Sequence, residues 1–197
     1  MFEEFSQIFI SFLVIMNPFT SAVYFLSISR GFSQKEKRDG INSATIIAGV
    51  ALLVFLVIGQ FLLSLLHVSI SSFQVAGGII LMVISLRFVL GSIGERREAE
   101  VSKDTSVMII GVPLITGPGV LTTTMIMVGA YGYTATFLAA MLALAVVWAI
   151  LNLSEHLRSA IGERGLEISA RIMGLLLAAI AVEFMKKGIL SIIQAGL

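Results

Sequence analysis

Long stretches without a charged residue alternate with short polar linkers along the chain. Asp, Glu, Lys and Arg do not occur in Phe5–Ser29, Ile41–Leu86 or Thr105–Leu153, which hold 25, 46 and 49 residues, and a shorter uncharged stretch is Ile172–Val182. A helix needs about 20 apolar residues to cross about 30 Å of hydrocarbon. We therefore expect one span in the first stretch, two in each of the next two, and a last span at 172–192, which makes six transmembrane helices.

The two longest stretches must each fold back on themselves. Polar and turn-forming residues gather at His67–Ser72 in one stretch and at Gly129–Thr134 in the other, so we expect a tight helical hairpin at each place. The longest linker, Ser154 to Arg171, has room for at most a short amphipathic helix on the membrane surface. The chain is therefore predicted to be a single transmembrane domain over residues 1–197.

Composition agrees with a membrane protein. The chain is 57% hydrophobic and 13% charged, with a mean hydropathy of +1.02, whereas soluble domains are about 45–50% apolar and about 25% charged. The net charge of +1 argues against a nucleic-acid partner, and the lack of cysteine excludes disulfides and thiol chemistry. We expect no cofactor and no metal centre.

Basic residues are concentrated on one side of the predicted spans. Eleven of the thirteen Lys and Arg residues lie in the linkers after spans one, three and five, and only Lys186 and Lys187 lie near the other side. Positively charged linkers stay in the cytoplasm. Both termini are therefore expected outside.

All three prolines fall inside two predicted spans. Pro18 lies in span one, and Pro113 and Pro118 lie in span four. Proline removes a helical hydrogen bond, and in hydrocarbon the freed backbone groups need partners from protein or from a polar cavity. Helices one and four are therefore predicted to be discontinuous.

The two halves of the chain repeat the same order of elements. Residues 1–94 and 104–197 each begin with a broken helix, continue with an apolar helix and end with a helix that starts with small residues. Because each half has three spans, the second half enters from the opposite side. Inverted repeats with broken helices are typical of secondary transporters, with the solute held between the breaks. Whether Pro113 or Pro118 matches Pro18 stays open.

Each break is interpreted as the start of a second half-helix. Asn17 before Pro18, and Thr116 or Gly117 before Pro118, have the residue types of helix N-termini. Two such termini attract a carboxylate, and the carbonyls that end the first half-helices accept from an ammonium group, so a small zwitterion fits both. The predicted substrate-binding residues are Asn17, Pro18, Phe19, Thr20, Ser21, Thr116, Gly117, Pro118, Gly119, Thr122 and Thr123.

Few ionisable residues lie within the spans. Glu183 is a candidate proton carrier, because charges inside a membrane are expensive and are kept mainly for function. Lys186 and Lys187 follow at the spacing of a local ion pair, which is an equally good interpretation. Arg87 is expected to reach the cytoplasmic interface.

Other interpretations use the same residues. The prolines can kink ordinary packed helices, and a passive channel or exporter for small polar solutes is hard to separate from a carrier by sequence. An intramembrane enzyme has less support, since the spans hold no nucleophile with an adjacent base. We do not expect catalytic activity.

Four motifs in order resemble the MarC family. They are Asn17–Leu26 (NPFTSAVYFL), Val75–Ile79 (VAGGI), Pro113–Gly119 (PLITGPG) and Arg171–Val182 (RIMGLLLAAIAV). The resemblance covers essentially the whole chain. It implies a SnatA-like carrier of small neutral amino acids such as glycine and alanine in the plasma (inner) membrane of a prokaryote. It also implies that a gradient of H⁺ or Na⁺ drives transport, and the oligomeric state stays open.

Overall fold

The fold is all-α over the residues that the structure describes. This computed structural model describes residues 2–29, 31–90 and 115–195, which contain no β-strand. The helices are α1 Phe2–Met16, α2 Pro18–Ile28, α3 Gln34–Leu65, α4 Ile70–Leu90, α5 Pro118–Tyr131, α6 Tyr133–Asn152 and α7 Ser154–Ala195.

Five segments within these residues are long and apolar enough to cross a membrane. They are Glu3–Ile28, which combines α1 and α2, and the helices α3, α4, α6 and α7. The predicted all-α integral membrane class is therefore confirmed. The predicted fourth span begins at Thr105, outside the described residues, and only its second part is seen as the 14-residue α5. The arrangement of six spans as two repeats thus stays a prediction.

A turn occurs at both places where polar residues gather. The helices α5 and α6 pack on each other after theirs, but α3 and α4 share almost no contacts, so the predicted tight hairpin at His67–Ser72 is wrong. The first turn follows α3, where His67 has a left-handed φ of 55° and its N–H donates to the Ser64 carbonyl at 3.1 Å. The second is a single residue, Gly132, between α5 and α6, with a φ of 81°. Glycine suits this position because it adopts positive φ without a steric cost.

The segment before the last span is helical throughout except at one residue. Gly162, with φ 74° and ψ 169°, separates a short helix from the rest of α7. The short surface helix was expected, but the prediction of a linker up to Arg171 is wrong. Residues 163–171 continue into the last span, because Glu, Leu and Arg favour a helix and nothing after Gly162 interrupts it.

The beginning of α3 is fixed to the beginning of α7. Ser33 and Glu36 form a capping box at the start of α3. One turn further, Lys37 Nζ contacts Glu155 Oε1 at 2.5 Å, and Gln34 Nε2 donates to Glu155 Oε2 at 2.9 Å. The hydrogen bond from Lys37, followed by that from Gln34, lowers the pKa of Glu155, which lies in the surface segment before Gly162. These contacts hold the surface helix against α3.

The helices α4 and α7 pack along glycine residues. A Cβ added to Gly78 would lie 2.6 Å from Met185 Cγ and 2.8 Å from the Ala181 carbonyl oxygen. A Cβ at Gly174 would lie 3.2 Å from Val89 Cγ2. Residues early in α4 contact residues late in α7, and the reverse, so the two helices are antiparallel. Small residues allow this close approach, which is how helices associate in lipid.

The broken first span lies at the centre of the molecule. In its most apolar window 61% of residues are buried, against 22% in α4 and 28% in α7. The helix α1 packs on α5, α6 and α7, while α2 packs on α6 and α7; α5 packs on α3 and α4. The first break is therefore surrounded by protein.

We predict that Gly78→Ala lowers stability through this interface. The new methyl group would meet the backbone oxygen of Ala181, which cannot rotate away, and overpacking of this kind costs about 1–3 kcal/mol. The matched control is Gly129→Ala, whose methyl would meet only the flexible tips of Ile70 and Gln60 at 3.3 and 3.4 Å. Thermal unfolding in detergent should show a lower midpoint for the first variant only. Equal midpoints would contradict the packing described.

Candidate functional site

The first break is a capped helix start, as expected. Asn17 has φ 42° and ψ 72°, and its Oδ1 accepts from the Thr20 N–H at 3.1 Å. Pro18 occupies the first helical position of α2. Asn is among the few residues that adopt the left-handed region at modest cost. Asn17 thus interrupts the helix through its left-handed backbone conformation, and its side chain caps the helix that follows.

The second break begins a helix in the same way but without a side-chain cap. Gly117 is extended, with φ −71° and ψ 179°, and Pro118 is again the first helical residue, here of α5. Pro18 and Pro118 therefore hold equivalent positions. Pro113 lies outside the described residues.

The two breaks lie beside each other. A Cβ added to Gly119 would overlap Leu81 Cδ2 and would lie 3.4 Å from Ile15 Cγ2. Ile15 precedes Asn17 by two residues, and Gly119 follows Gly117 by two. The structure thus brings together the two chain segments that the sequence singled out.

Two buried polar atoms at the first break have no hydrogen-bond partner among the described residues. They are Asn17 Nδ2 and Thr20 Oγ1, and each residue is only 1% exposed. Most buried side-chain polar atoms in proteins are paired, and an unpaired one costs about 1–3 kcal/mol. Two such atoms one helical turn apart point to a site where a bound solute supplies the partners.

The remaining predicted residues of the first break lie around these atoms. Pro18 and Ser21 are buried and Phe19 is half-buried. Among the described residues, Ser21 Oγ has a long contact, 3.5 Å, with the Met16 carbonyl oxygen. Ser21 lies one residue after Thr20 and one turn after Asn17, so its hydroxyl is a further candidate for the polar site.

The predicted threonines near the second break already donate their hydroxyl hydrogens within the protein. Thr116 Oγ1 donates to the Ala48 carbonyl at 3.0 Å, and Thr122 and Thr123 donate to carbonyls four residues earlier, each at 2.8 Å. Pro118 is exposed, whereas Gly117 and Gly119 are buried. The second break therefore offers the candidate site backbone groups and the room beside its glycines, and the hydroxyls of these three threonines are already used.

The electrostatics at the breaks come from helix termini. The buried polar side chains among the described residues are all Asn, Ser or Thr, none of them charged. The N-termini of α2 and α5 each carry a partial positive charge of about half a unit. An anionic group is thus attracted without a buried Lys or Arg.

Two cavities lie at different levels along α1, and one of them adjoins the breaks. The first, which we call the Glu183 cavity, has a volume of about 190 Å³, and the second, the Arg87 cavity, has about 240 Å³. The Arg87 cavity includes Gly117, Gly119 and Ile15 from the breaks. Polar residues of the Glu183 cavity are Gln7, Ser11, Gln74, Tyr131, Glu183 and Lys187.

Glu183 is half-buried and has the predicted ionic partners. Its carboxylate contacts Lys186 Nζ at 2.5 Å and Lys187 Nζ at 3.7 Å. Its role in proton transfer stays a prediction. Our sequence reasoning missed Gln7 and Tyr131, whose side chains are joined by a 3.2 Å hydrogen bond in this cavity. The signal for this face was the polar pair Gln7 and Ser11, four residues apart in α1, where residues 8–10 and 12–16 are all apolar.

Comparisons with known proteins agree with the motifs. The model of the MarC family, described as MarC family integral membrane protein, matches residues 2–193. A UPF0056 membrane protein of Aquifex aeolicus is 31% identical over 98% of this chain and 97% of its own length. Another, of Archaeoglobus fulgidus, is 36% identical over 92% of this chain and 90% of its own. No solved structure matches the chain.

We predict that Asn17→Gly is more stable than Asn17→Ala. Glycine keeps the positive φ and as an N-cap costs only a few tenths of a kcal/mol, whereas alanine loses the cap and pays about 1–2 kcal/mol for the left-handed conformation. Thermal unfolding in detergent should rank the midpoints wild type, Gly, Ala. An alanine variant as stable as the glycine variant would show that the strained cap does not exist.

Proposed function

We propose that this chain, which belongs to the MarC family of integral membrane proteins, is a secondary transporter of small neutral amino acids of the glycine and alanine type. In this proposal an ion gradient of H⁺ or Na⁺ drives transport by alternating access. The membrane is the plasma membrane of a prokaryote, and the positively charged linkers favour both termini outside.

The observation that carries the proposal is the pair of unpaired polar atoms at the first break. Asn17 Nδ2 donates, and Thr20 Oγ1 donates or accepts. Together with the N-terminus of α2, they form a receptor for a carboxylate. The Thr20 N–H, which a continuous helix would direct to the Met16 carbonyl, is taken by Asn17 Oδ1. The Met16 carbonyl can therefore accept from an ammonium group as well as from Ser21 Oγ at 3.5 Å. A zwitterion satisfies both sets.

The surroundings favour a small side chain. Ile15, Leu81 and Val120 line the Arg87 cavity next to Gly119. The approach of Leu81 to Gly119 is so close that a single added methyl group would overlap it. The apolar side chains beside the second break suit a solute with a small apolar side chain, such as that of alanine.

Paired contacts support the inverted repeat on which alternating access depends. Gly78 meets Met185, and Gly174 meets Val89; Gly174 follows Gly78 by 96 residues, and Met185 follows Val89 by 96. Likewise α2 packs on α6 and α7, as α5 packs on α3 and α4. An approximate two-fold axis in the membrane plane would produce these equivalences.

Uptake by proteoliposomes tests the proposal. Purified protein should accumulate labelled alanine when a pH or Na⁺ gradient is imposed, and unlabelled glycine should compete. Ethylamine and propionate should compete poorly, since each lacks one charged group of the zwitterion. Equilibration without accumulation would indicate a passive channel, and competition by ethylamine as strong as by glycine would overturn the zwitterion site.

We predict that Thr20→Val abolishes most alanine uptake without destabilising the protein. The change removes a buried hydroxyl that has no partner among the described residues, so the free protein loses none of the hydrogen bonds seen there. The bound carboxylate loses a hydrogen bond worth about 1.5–3 kcal/mol, or about 10–100-fold in affinity. The control is Thr136→Val, because Thr136 is buried but its hydroxyl is bonded to the Gly132 carbonyl at 2.8 Å. Unchanged uptake by Thr20→Val would remove Thr20 from the site.

We predict that Glu183→Gln keeps pH-driven accumulation. Two lysines already pair with this carboxylate, so an ion-pair role accounts for its position and the variant should lose only that pair. Accumulation and alanine exchange are measured in the same proteoliposomes, with Glu163→Gln as a control for loss of another exposed ion pair. Loss of accumulation with intact exchange would instead make Glu183 the proton carrier.

A further inference from the structure

We infer that the solute path runs along one seam between α1, α4, α5 and α7, with the Glu183 cavity and the Arg87 cavity as its two ends. The chemical identity of the solute rests on the proposed function. The course of the path rests on the geometry of the two cavities.

One face of α1 lines both cavities. Gln7 and Ser11 line the Glu183 cavity, and Ile15 lines the Arg87 cavity. Residues four apart lie on the same side of a helix, so the three positions form a continuous row. The row ends at the first break, two residues before Asn17.

The other three helices follow the same pattern. In α4, Gln74 lines one cavity and Leu81 the other; in α5 the corresponding pair is Met127 and Val120. Each pair is seven residues apart, which is about two turns or 10 Å along a helix. In α7, Leu177 lines the Arg87 cavity, and Ile180 and Phe184 line the Glu183 cavity. All four helices thus contribute to both cavities.

A short packed barrier separates the cavities. Between them α4 and α5 touch directly, because a Cβ added to Gly77 would overlap Thr122 Cγ2; next to this contact, Gly119 and Leu81 meet in the wall of the Arg87 cavity. The two glycines make the contact close, and the interacting side chains, Thr122 and Leu81, come from opposite helices. A small separation of α4 from α5 at this point would join the cavities.

The ends of the path differ in chemistry from its middle. The Glu183 cavity offers amide, hydroxyl, carboxylate and ammonium groups, and the Arg87 cavity has a guanidinium group among apolar side chains. Polar ends can receive a hydrated zwitterion, whereas the tight apolar contact excludes water. Alternating access requires a closed barrier with a cavity on each side of it. A permanently open channel has no need of such a barrier.

Cysteine accessibility tests the path directly, because the chain has no native cysteine. Ser11→Cys would place a thiol in the Glu183 cavity, and the control Ile10→Cys would place one on an outward face of α1, where Ile10 is exposed. For the Arg87 cavity, the pair is Ile84→Cys and its exposed neighbour Val83→Cys. Each pair compares adjacent residues at almost the same membrane depth.

A charged, membrane-impermeant methanethiosulfonate reagent reacts with thiols in water and not in lipid. We expect Ser11→Cys and Ile84→Cys each to react at least about tenfold faster than its neighbour, since only hydrated thiols form the reactive thiolate. In sealed proteoliposomes of one orientation, the two should react from opposite sides of the membrane.

Equal rates within each pair, or reaction of both cavity thiols from the same side, would overturn the path. Labelling requires no substrate, so the outcome is independent of uptake assays. Failure of alanine uptake with the expected labelling would remove the proposed substrate and keep the path. Alanine uptake without the expected labelling would keep the transporter and place its path elsewhere.

Discussion

A proline in the middle of a membrane helix leaves backbone groups without partners where no water can supply them. At Pro18 this constraint is met locally: Asn17 turns the backbone to positive φ and caps the Thr20 N–H. The capping is incomplete, since Asn17 Nδ2 and Thr20 Oγ1 stay without partners among the described residues. Burial of the break by α5, α6 and α7 is needed because lipid could not tolerate these groups.

The helices around this break pack closely because glycine residues lie at their contacts. Glycines in α4, α5 and α7 bring backbones together, as at Gly78 against Ala181 and at Gly119 against Leu81. In lipid, helices gain little from burying apolar side chains, so close backbone contact and van der Waals packing stabilise the assembly. A neighbouring contact, Gly77 in α4 against Thr122 in α5, lies between the two cavities. Adjacent glycines of α4 thus serve the packing against α7, through Gly78, and the proposed barrier, through Gly77.

Sequence reasoning predicted the features that follow from local rules. The length of the uncharged stretches predicted the spans within the described residues, the clustered polar residues predicted the turns, and Asn17-Pro18 predicted the helix start. The packing of α3 on α4 was predicted wrongly, because a turn in the chain does not by itself bring two helices into contact. Sequence reasoning could not predict which hydroxyls would stay free: Thr20 and Thr123 both follow a break-forming proline within five residues, yet Thr123 donates to the Gly119 carbonyl and Thr20 has no partner among the described residues. That difference depends on helix phase and tertiary packing. For the same reason the Glu183 cavity was missed, because Gln7, Gln74 and Tyr131 come together from three helices.

The most direct test of the central claim is whether the Asn17 side-chain amide binds the solute. In detergent-solubilised protein labelled with ¹⁵N-asparagine, the Asn17 Nδ2 resonance, assigned by its loss in Asn17→Gly, should move as alanine is added and saturate with transport affinity. The Asn152 amide, which donates to the Trp148 carbonyl at 2.9 Å, should not move. An Asn17 resonance that stays unchanged while alanine is bound and transported would contradict the account.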